Sequence, residues 1–245
     1  MMNYQYLHNS TDCRSLIRDT FTTYRGKISE ELHKKMDQLL QYELEKKTII
    51  SAIKMNVISE EYPVAIWKGD ITVLAIESIV NAANSEMLGC FLRGHTCIDN
   101  IIHNTAGPRL REECMSIKQG RKLPTGHVKI TKGYNLPAKY ILHTVGPIIS
   151  AKIPTDYDKK MLYSCYINCL NICRAVGIRE IAFCNISTGV FGYPSEDASH
   201  IALGAVRDWL RKNQHIFKMS RIIFCVFTDQ NYEIYNKNLN KYFKK

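Results

Sequence analysis

The sequence predicts a three-layer α/β protein with a largely parallel central sheet, preceded by a helical extension. From about Tyr62 onward, short β-rich runs alternate with segments of helical periodicity, which is typical of a sheet covered by helices. Over residues 1–60, apolar residues instead recur at three- and four-residue steps. The chain has 245 residues, of which 45% are hydrophobic, and this is enough for one large domain with an extension.

The extension shows helical spacing and no pattern that suggests catalysis. Gly26 followed by Ser29 is typical of a helix end and a new helix start. We therefore predict a helical extension over residues 1–60, docked on a main domain formed by residues 61–245. The recurring apolar residues of the extension are Leu16, Ile17, Phe21, Leu32, Met36, Leu39, Leu40 and Leu44.

The main domain is predicted to alternate strands with helices. Apolar stripes with helical spacing run from Met161 to Val176 and from Ala198 to Leu210, and a last helix follows Asp229. Such sheets bind ligands at the carboxyl ends of their strands, so the loops there are where a site is expected. The predicted strands are Val64–Trp67, Ser78–Val80, Val128–Thr131, Tyr140–Thr144, Glu180–Ile186 and Arg221–Phe227.

The net charge of +10 is unevenly distributed. Residues 1–60 hold nine Lys/Arg and eight Asp/Glu, so most of the positive excess lies in the main domain. The segment Lys118–Lys139 has six basic residues and no acidic one. A basic domain favours anionic partners such as phosphates or nucleic acid, although a solvated surface explains any single lysine equally well. RNA binding is disfavoured, because no basic motif is interleaved with aromatic residues.

The cysteines and the chain's beginning indicate where the protein works. The sequence contains no run of 18 apolar residues, so we predict no membrane span. Met1–Arg14 also lacks the layout of a secretory signal, in which a basic segment precedes an apolar one. The nine cysteines are odd in number, and several lie in apolar periodic segments. This usage is typical of reduced core thiols in a reducing compartment. We therefore expect a cytoplasmic monomer with no membrane partner.

The first candidate loop, Lys68–Thr72, directly follows a predicted strand. Its Asp70 could cap a following turn by accepting hydrogen bonds from free backbone N–H groups. The same carboxylate could instead accept a hydrogen bond from an exocyclic amine such as that of adenine. The residues alone leave both interpretations open.

The second candidate loop begins where a strand ends in Val80–Asn84, and it continues into a cluster of cysteine and histidine. Cys90, His95 and Cys97 lie within eight residues. Thiolate and imidazole ligands select zinc, and three ligands with no obvious fourth are typical of a catalytic zinc with an open position. The spacing matches no common zinc finger, so two reduced thiols beside a surface histidine remain the alternative.

A helix is predicted directly after this cluster, with Asp99 in its first turn. The helix dipole favours a carboxylate there, which by itself accounts for an acid at this position. The same position also directs Asp99 at the mouth of the loop. His103 falls one turn later, and we interpret it as a packed histidine rather than a fourth ligand.

The third candidate loop, Ser187–Pro194, joins a predicted strand to a predicted helix. Its two glycines and two hydroxyl side chains let the backbone approach an anion and donate N–H bonds. The helix that follows adds the positive end of its dipole. The loop is neither a Walker loop nor a dinucleotide fingerprint, because it lacks both glycine patterns. We therefore predict a cradle for a diphosphate.

Taken in this order, the loops resemble those of macrodomains. The Cys90–Asn100 insert resembles one branch specifically, the zinc-dependent macrodomains that act as protein ADP-ribosylhydrolases. The resemblance covers about residues 62–240 and implies a macrodomain fold with zinc as its cofactor. The segments that carry it are Gly69–Ile71, Val80–Asn84, Ala106–Gly107, Cys90–Asn100 and Ser187–Pro194.

The resemblance also assigns roles to individual residues. It implies that Cys90, His95 and Cys97 hold the zinc ion. It makes Asn84 and Asp99 the candidate catalytic residues, with Asp99 near the reacting sugar carbon. For ADP-ribose, the resemblance implies that Asp70 binds the adenine amine with Ile71 beside it, and that Phe227 borders the adenine. Asn84 is expected to bind the distal ribose. The residues expected around the diphosphate and the distal ribose are Ser187, Thr188, Gly189, Val190, Phe191 and Gly192.

The implied activity is removal of mono-ADP-ribose from modified proteins, at aspartate or glutamate side chains. The expected partners are therefore ADP-ribose and ADP-ribosylated proteins. A module that binds ADP-ribose without cleaving it is the alternative, although such a reader has no need of an open metal site. The chain departs from the branch at Arg93, where proline is usual. Loss of the fixed φ loosens the loop, and Arg93 adds a cation near the predicted metal.

Overall fold

The computed structural model describes residues 10–150 and 153–243. The strands are β1 Ile50–Ser51, β2 Val64–Lys68, β3 Leu74–Ala75, β4 Ser78–Ala82, β5 Val128–Lys132, β6 Tyr140–Thr144, β7 Glu180–Phe183 and β8 Arg221–Val226. Six of them form one sheet in the order β2–β8–β7–β4–β6–β5, while β1 pairs separately with β3. The neighbours in the large sheet are parallel, except that β5 runs antiparallel to β6.

Helices cover the sheet on both faces. In the described part of the chain they are α1 Ser10–Thr23, α2 Glu30–Glu45, α3 Ile98–Ala106, α4 Pro108–Lys118, α5 Asp156–Val176, α6 Ser195–Asn213 and α7 Asp229–Phe243. Helices α5, α6 and α7 pack side by side, whereas α3 and α4 pack on β4 and β5 and are covered in turn by α1 and α2. The predicted three-layer α/β fold is therefore confirmed. No described helix is both long and apolar enough to cross a bilayer.

The strand sequences fit their positions in the sheet. The interior strand β8 reads RIIFCV, and its last five residues are buried, as expected where helices cover both faces of a parallel sheet. The edge strand β5 instead exposes Lys129 and Lys132 while Thr131 is buried. Exposed lysines on an edge strand discourage pairing with another chain.

The long helix α5 has clear sequence signals at both ends. The Thr155 hydroxyl accepts a hydrogen bond from the Asp158 backbone N–H, and the Asp158 carboxylate accepts one from the Thr155 N–H. This reciprocal capping box satisfies two N–H groups that the helix itself leaves unpaired. At the other end Gly177 takes a left-handed φ of 79°, a conformation that glycine adopts without steric cost. These signals bracket the predicted apolar stripe.

The extension docks on α4 through two arginines. Arg109 forms ion pairs with Glu30 and Asp37 of α2. Arg111 donates to the carbonyl oxygen of Phe21 at the end of α1. The predicted docking of a helical extension is therefore confirmed for the residues that the structure describes, and residues 1–9 lie outside them.

The helical part of the extension ends earlier than predicted. α2 ends at Glu45, and β1 then pairs in parallel with β3. Ile50 and Ser51 thus pair with residues of the main domain, while the boundary between an extension over residues 1–60 and a domain over residues 61–245 stays a prediction. A two-residue strand is too short to leave a periodic signal, which explains the difference.

The predicted strands are confirmed, with small shifts at their ends. The largest shift is in β7, which ends at Phe183 rather than at Ile186. Ile186 is fully buried, so its apolar character reflects an anchored loop rather than a continued strand. Helix α4 was not singled out from the sequence, because only Leu110 and Cys114 supply buried side chains beyond its first residue.

Candidate functional site

The three predicted loops meet at one edge of the sheet. Strands β2, β4, β6, β7 and β8 are mutually parallel, so their carboxyl ends share that edge. The first loop follows β2, the second follows β4 and the third follows β7. The second and third loops follow the neighbouring strands β4 and β7, and the first loop follows β2, which β8 separates from β7. The carboxyl ends of the strands are where ligands of open α/β sheets bind.

The predicted metal ligands converge. The ligand atoms of Cys90, His95 and Cys97 all lie within 4.8 Å of one another. The Cys90 Sγ atom is 3.1 Å from His95 Nδ1 and 3.8 Å from Cys97 Sγ. All three side chains are partly exposed, so the cluster is open to the outside. The local fold thus brings two thiols and one imidazole together, as the sequence predicted.

This donor set suits zinc in chemistry and in spacing. A tetrahedral zinc with Zn–S distances of about 2.3 Å separates two sulfur ligands by about 3.8 Å, which is the separation found between Cys90 and Cys97. The sulfur to nitrogen distance is shorter than the roughly 3.6 Å that the same geometry requires, so His95 would move outward slightly. Burial raises the pKa of Cys97 to about 11, and the neighbouring Cys90 adds to the rise. A bound cation would lower the pKa of Cys97 again, because it favours the thiolate over the thiol.

Asn100 orients the first ligand from the following helix. Its side-chain oxygen accepts from the Cys90 backbone N–H at 2.9 Å, and its nitrogen donates to the Cys90 Sγ at 3.0 Å. The same nitrogen lies 3.0 Å from the carbonyl oxygen of His95. One buried amide therefore ties two of the three ligand positions to α3. Such outer hydrogen bonds fix ligand orientation at metal sites.

The loop around Cys90 is tightly constrained. Met87 and Phe91 have φ values of 58° and 57°, and Gly89 and Gly94 have values of 82° and 70°. At Gly89 an added Cβ would lie 3.0 Å from the Asn100 side-chain oxygen. Non-glycine residues with positive φ store strain and concentrate at functional sites. The packing around Asn100 is thus part of what shapes this loop.

A second cluster of the same ligand types lies deeper in the protein. His103, Cys114 and His143 also have ligand atoms within 4.8 Å of one another, and all three residues are buried. Burial lowers the pKa of His143 to about 3 and holds that of His103 well below its ordinary value. The interpretation of His103 as a packed histidine is therefore confirmed. Sequence reasoning did not connect Cys114 and His143 to it, because the three residues lie on separate elements.

Asp99 lies between the two clusters, in the first turn of α3. It is only 4% exposed, and its Oδ1 atom accepts from the Asn81 side-chain nitrogen at 2.7 Å. Its Oδ2 atom is buried and makes no hydrogen bond to the described residues. Burial raises the pKa of Asp99 to about 6, although the Asn81 hydrogen bond opposes that rise. Asp99 thus has Oδ1 engaged by Asn81, while Oδ2 makes no hydrogen bond of normal geometry to the described residues. The Asn84 backbone N–H lies near the carboxylate and also lowers its pKa.

Asn84 folds back onto its own loop. Its side-chain oxygen accepts from the backbone N–H groups of Glu86 and Met87, and its nitrogen donates to the Gly89 carbonyl oxygen at 2.8 Å. An amide nitrogen carries two N–H bonds, so one of them is left to bind another acceptor. Asn84 therefore stabilises the conformation of its own loop, and its remaining N–H could still serve its predicted role in binding a sugar.

Asp70 caps the short turn that follows β2. Its Oδ1 atom accepts from the Thr72 backbone N–H at 2.9 Å and from the Thr72 hydroxyl at 2.7 Å. The interpretation of Asp70 as a capping residue is thus confirmed. Its Oδ2 atom is not used by the cap, so capping and binding of a ligand amine are compatible. Ile71, beside it, is buried.

The third loop forms a tight turn at the carboxyl end of β7. The Gly192 N–H donates to the Gly189 carbonyl oxygen, and the Tyr193 N–H donates to the Ser187 carbonyl oxygen. The backbone N–H groups of residues 188–191 bond to no other described residue. Ser187 is buried with a φ of 66°, and its hydroxyl has no partner among the described residues. Free N–H groups in such a turn form an anion-binding concavity.

A fourth loop, which sequence reasoning missed, lies against this turn. At Gly146, after β6, an added Cβ would come within 2.0 Å of the Ser187 hydroxyl oxygen. The Ile149 N–H then donates to the Phe191 carbonyl oxygen at 2.7 Å. Only glycine allows this close approach. The signal was present in the sequence as a Gly-Pro pair directly after a predicted strand.

Apolar side chains stand exposed on the third loop and just beyond β8. Val190 is 76% exposed and Phe227, just beyond β8, is 77% exposed. Phe191 is partly buried. Apolar and aromatic surface beside a few polar groups is typical of a site for a nucleotide-like ligand. The roles of Val190, Phe191 and Phe227 in binding ADP-ribose stay predictions.

The extension forms a wall of this region. A cavity of about 200 Å³ lies between α1, α2 and the loop that carries Cys90, His95 and Cys97, here called the metal loop after its predicted ligands. Both Asp70 and His95 line this cavity. Arg93 donates to the Asp19 carboxylate of α1 at 3.0 Å. The residue that departs from the branch pattern therefore ties the loop to the extension. The guanidinium of Arg25 stacks 4.3 Å from the ring centre of Phe91 in the same loop.

Comparison with known proteins fits this geometry. The model of the Macro domain matches residues 80–202. A protein-ADP-ribose hydrolase of Treponema medium is 50% identical over 174 residues, which make up 70% of this chain and 65% of that protein. The Oceanobacillus iheyensis macrodomain with ADP is 35% identical, with a TM-score of 0.67, and the match covers 76% of this chain and 94% of that one.

The macrodomain of Trypanosoma brucei in complex with ADP-ribose is also similar. It is 29% identical, with a TM-score of 0.68, and the match covers 90% of this chain and 94% of that one. This chain belongs to the Macro domain family. It spans slightly less than two-thirds of the length of the Treponema medium hydrolase.

Proposed function

We propose that the protein binds ADP-ribose and hydrolyses mono-ADP-ribose from modified proteins. The observation that carries the proposal is the convergence of Cys90, His95 and Cys97 on the sheet edge that also presents the anion-binding turn. A reader of ADP-ribose needs the turn alone. The similarity to a protein named as a protein-ADP-ribose hydrolase supports the same activity.

The proposed cofactor is a zinc ion held by Cys90, His95 and Cys97. When bound, zinc acts as a Lewis acid and lowers the pKa of a coordinated hydroxyl or water towards about 7. Three protein ligands leave one tetrahedral position open, which is typical of catalytic rather than structural zinc. Asn100 would keep the thiol of Cys90 and the backbone of His95 oriented towards the ion.

The ligand would lie along the carboxyl edge of the sheet. The free oxygen of Asp70 would accept a hydrogen bond from the adenine amine. The unpaired N–H groups of residues 188–191 would donate to the diphosphate, because backbone N–H groups in such a turn bind phosphate. Phe191 and Phe227 would cover the distal ribose and the adenine. This order places the distal ribose nearest the metal loop.

The chemical step would break the bond between the anomeric carbon of the distal ribose and the acceptor side chain. Water adds to that carbon and loses a proton to solvent, and the acceptor leaves as a carboxylate with the electron pair of the broken bond. A carboxylate is the best leaving group among the usual acceptors, so we propose ester-linked ADP-ribose on aspartate or glutamate. The uncommitted Oδ2 atom of Asp99 would orient the water or a sugar hydroxyl, and the remaining N–H of Asn84 would hold a ribose hydroxyl.

Turnover of defined substrates tests the proposal. Proteins carrying mono-ADP-ribose on glutamate, on serine or on arginine are incubated with the purified protein, before and after metal removal by a chelator. We expect release from glutamate only, loss of release after chelation and recovery on adding zinc. Full activity after verified metal removal would eliminate the catalytic role of zinc, and release from serine or arginine alone would eliminate the ester assignment.

A reader without catalysis is the second candidate, and two observations favour it. Asp99 is almost fully buried, and most of the hydrogen-bonding capacity of Asn84 is used by its own loop. The two functions are separated by measuring binding and turnover on the same samples. Tight ADP-ribose binding with no turnover by the zinc-loaded protein, and with unchanged affinity in Asp99→Ala, would establish the reader.

A further inference from the structure

A chain of polar side chains crosses the sheet beneath Asp99. Asn81 and His143 occupy the same register position on the neighbouring strands β4 and β6, and both are fully buried. The Asn81 side-chain nitrogen lies 2.7 Å from Asp99 Oδ1 and 3.1 Å from His143 Nδ1. His143 Nε2 lies 2.9 Å from the hydroxyl of Thr131 on β5. Polar residues are rare in so apolar a layer unless their hydrogen bonds are needed.

The hydrogen-bonding chemistry fixes the direction of every bond in this chain. A carboxylate only accepts hydrogen bonds, so the Asn81 amide must present its nitrogen, not its oxygen, to Asp99. The two N–H bonds of that nitrogen are then used by Asp99 and by His143 Nδ1. His143 Nδ1 is therefore an acceptor, so the ring proton is on Nε2 and is donated to Thr131. The low pKa that burial gives His143 keeps the ring neutral, as this arrangement requires.

We propose that Thr131, His143 and Asn81 form a positioning relay that holds the Asp99 carboxylate in place for the proposed hydrolysis. The relay ties up Oδ1 and leaves Oδ2 for the substrate. Because three members are built on adjacent strands, their positions are set by the most rigid part of the fold. The inference rests on the proposed function, since it concerns how Asp99 performs its part.

The same bonds argue against a metal ion in the buried cluster. His143 has both ring nitrogens engaged, by Asn81 and by Thr131. Burial raises the pKa of the Cys114 thiol far above its ordinary value, so this group keeps its proton. A metal there would have to displace two hydrogen bonds and a thiol proton. The relay needs only the neutral His143 ring with its hydrogen bonds to Asn81 and Thr131.

Substitutions at Asn81 and His143 test the relay. Asn81→Leu keeps the shape but removes both donors, and we expect kcat to fall about 10- to 100-fold, because small displacements of a reacting group cost this much. KM, ADP-ribose affinity and zinc content should stay at wild-type values. His143→Leu should also lower kcat. His143→Gln should restore most of it, since a glutamine can accept from Asn81 and donate to Thr131.

Two further measurements keep the test decisive if Asn81→Leu fails to fold. Thr131→Val is close in shape to the native residue and should lower kcat at unchanged KM, so an unchanged kcat would overturn the relay. The ¹⁵N spectrum of His143 should show a protonated Nε2 and an unprotonated Nδ1. A proton on Nδ1 would overturn the proposal, because that nitrogen could not accept from Asn81.

Asp99→Ala separates failure of the relay from failure of the proposed function. If Asp99→Ala keeps full turnover, the catalytic role of Asp99 is wrong and the relay falls with it. If Asp99→Ala loses turnover while folded Asn81→Leu and Thr131→Val keep it, only the relay is wrong. Equal kcat losses in His143→Leu and His143→Gln would also contradict it, because a positional role predicts rescue by the variant that restores the hydrogen bonds.

Discussion

Two clusters in this protein offer nearly the same ligand chemistry in very different settings. The outer cluster, Cys90, His95 and Cys97, is partly exposed, whereas the inner cluster, His103, Cys114 and His143, is buried. Each gathers three candidate ligands within 4.8 Å. Proximity and residue type alone would therefore predict two metal sites.

The difference lies in what the ligand atoms are already bonded to. In the outer cluster Asn100 donates to the Cys90 sulfur, which leaves the thiol able to bind a cation as well. In the inner cluster both ring nitrogens of His143 are engaged, by Asn81 and by Thr131. The ring nitrogens of His103 have no hydrogen-bond partner among the described residues, but all three residues are buried, so solvent does not reach them. The comparison teaches that a metal site needs ligands with uncommitted lone pairs and access, beyond ligands that are close together.

The largest expected contrast is in catalysis. Cys97→Ser in the outer cluster should lower turnover of ester-linked ADP-ribose by about 100-fold or more, because the proposed zinc ion would contribute several kcal/mol as a Lewis acid. Cys114→Ser in the inner cluster is the matched control and should keep turnover close to wild type. Steady-state assays of the two variants check this, and similar losses in both would remove the distinction between the clusters.

Stability should show the opposite contrast. Cys114 is fully buried, so Cys114→Ala should lower the free energy of unfolding by about 1–2 kcal/mol through the lost packing. Cys90→Ala removes a partly exposed thiol and should cost less. Urea unfolding of both variants, measured with a chelator present so that metal binding does not contribute, compares them. A larger loss in Cys90→Ala would contradict the structural assignment of the inner cluster.

The neutral inner histidine predicts a pH dependence. Burial holds the pKa of His143 at about 3, whereas an unfolded histidine titrates near about 6.5. Below that value the unfolded chain binds a proton that the folded chain does not, so stability contributed by His143 is lost as the pH falls. The slope from one such group approaches about 1.4 kcal/mol per pH unit at most.

His143→Gln isolates this contribution. The variant cannot titrate, so its free energy of unfolding should fall less steeply than that of the wild type between pH 6.5 and pH 4. His127→Gln, at an exposed position, serves as the control. Parallel wild-type and His143→Gln curves over this range would show that His143 is not buried in its neutral form.

The smallest expected effect concerns Arg93. Its ion pair with Asp19 joins the metal loop to α1, but the Arg93 side chain is 70% exposed. Exposed ion pairs contribute about 0.2–1 kcal/mol, so Arg93→Gln should weaken zinc affinity by no more than about fivefold. Lys35→Gln breaks an exposed pair elsewhere in the extension and should leave zinc affinity unchanged. Equal effects of the two variants would show that the extension does not support the loop.

The sequence predicted the outer cluster but not the inner one, and the reason is physical. Cys90, His95 and Cys97 lie close together along the chain, so a short loop can bring them together without knowledge of the fold. His103, Cys114 and His143 meet only because α3, α4 and β6 pack on one another. Contacts across strands depend on register, and register could not be obtained from the periodicity of single strands.

The same distinction separates the loops that were predicted from the one that was missed. The turn at Ser187–Pro194 is a local arrangement whose glycines are visible in sequence. The approach of Gly146 to Ser187 joins two loops far apart in the chain. The partner of Arg93 is equally distant, since Asp19 lies 74 residues earlier. The sequence therefore predicted which loops come together at the carboxyl ends of the strands, but not which side chains hold those loops in place.

Native mass spectrometry of the purified chain tests the central claim most directly. The wild type should carry one zinc ion, Cys90→Ser should carry none, and Cys114→Ser should carry one. A zinc ion retained by Cys90→Ser, or a metal-free wild type that still releases ADP-ribose from protein, would contradict the assignment of the outer cluster as a catalytic metal site.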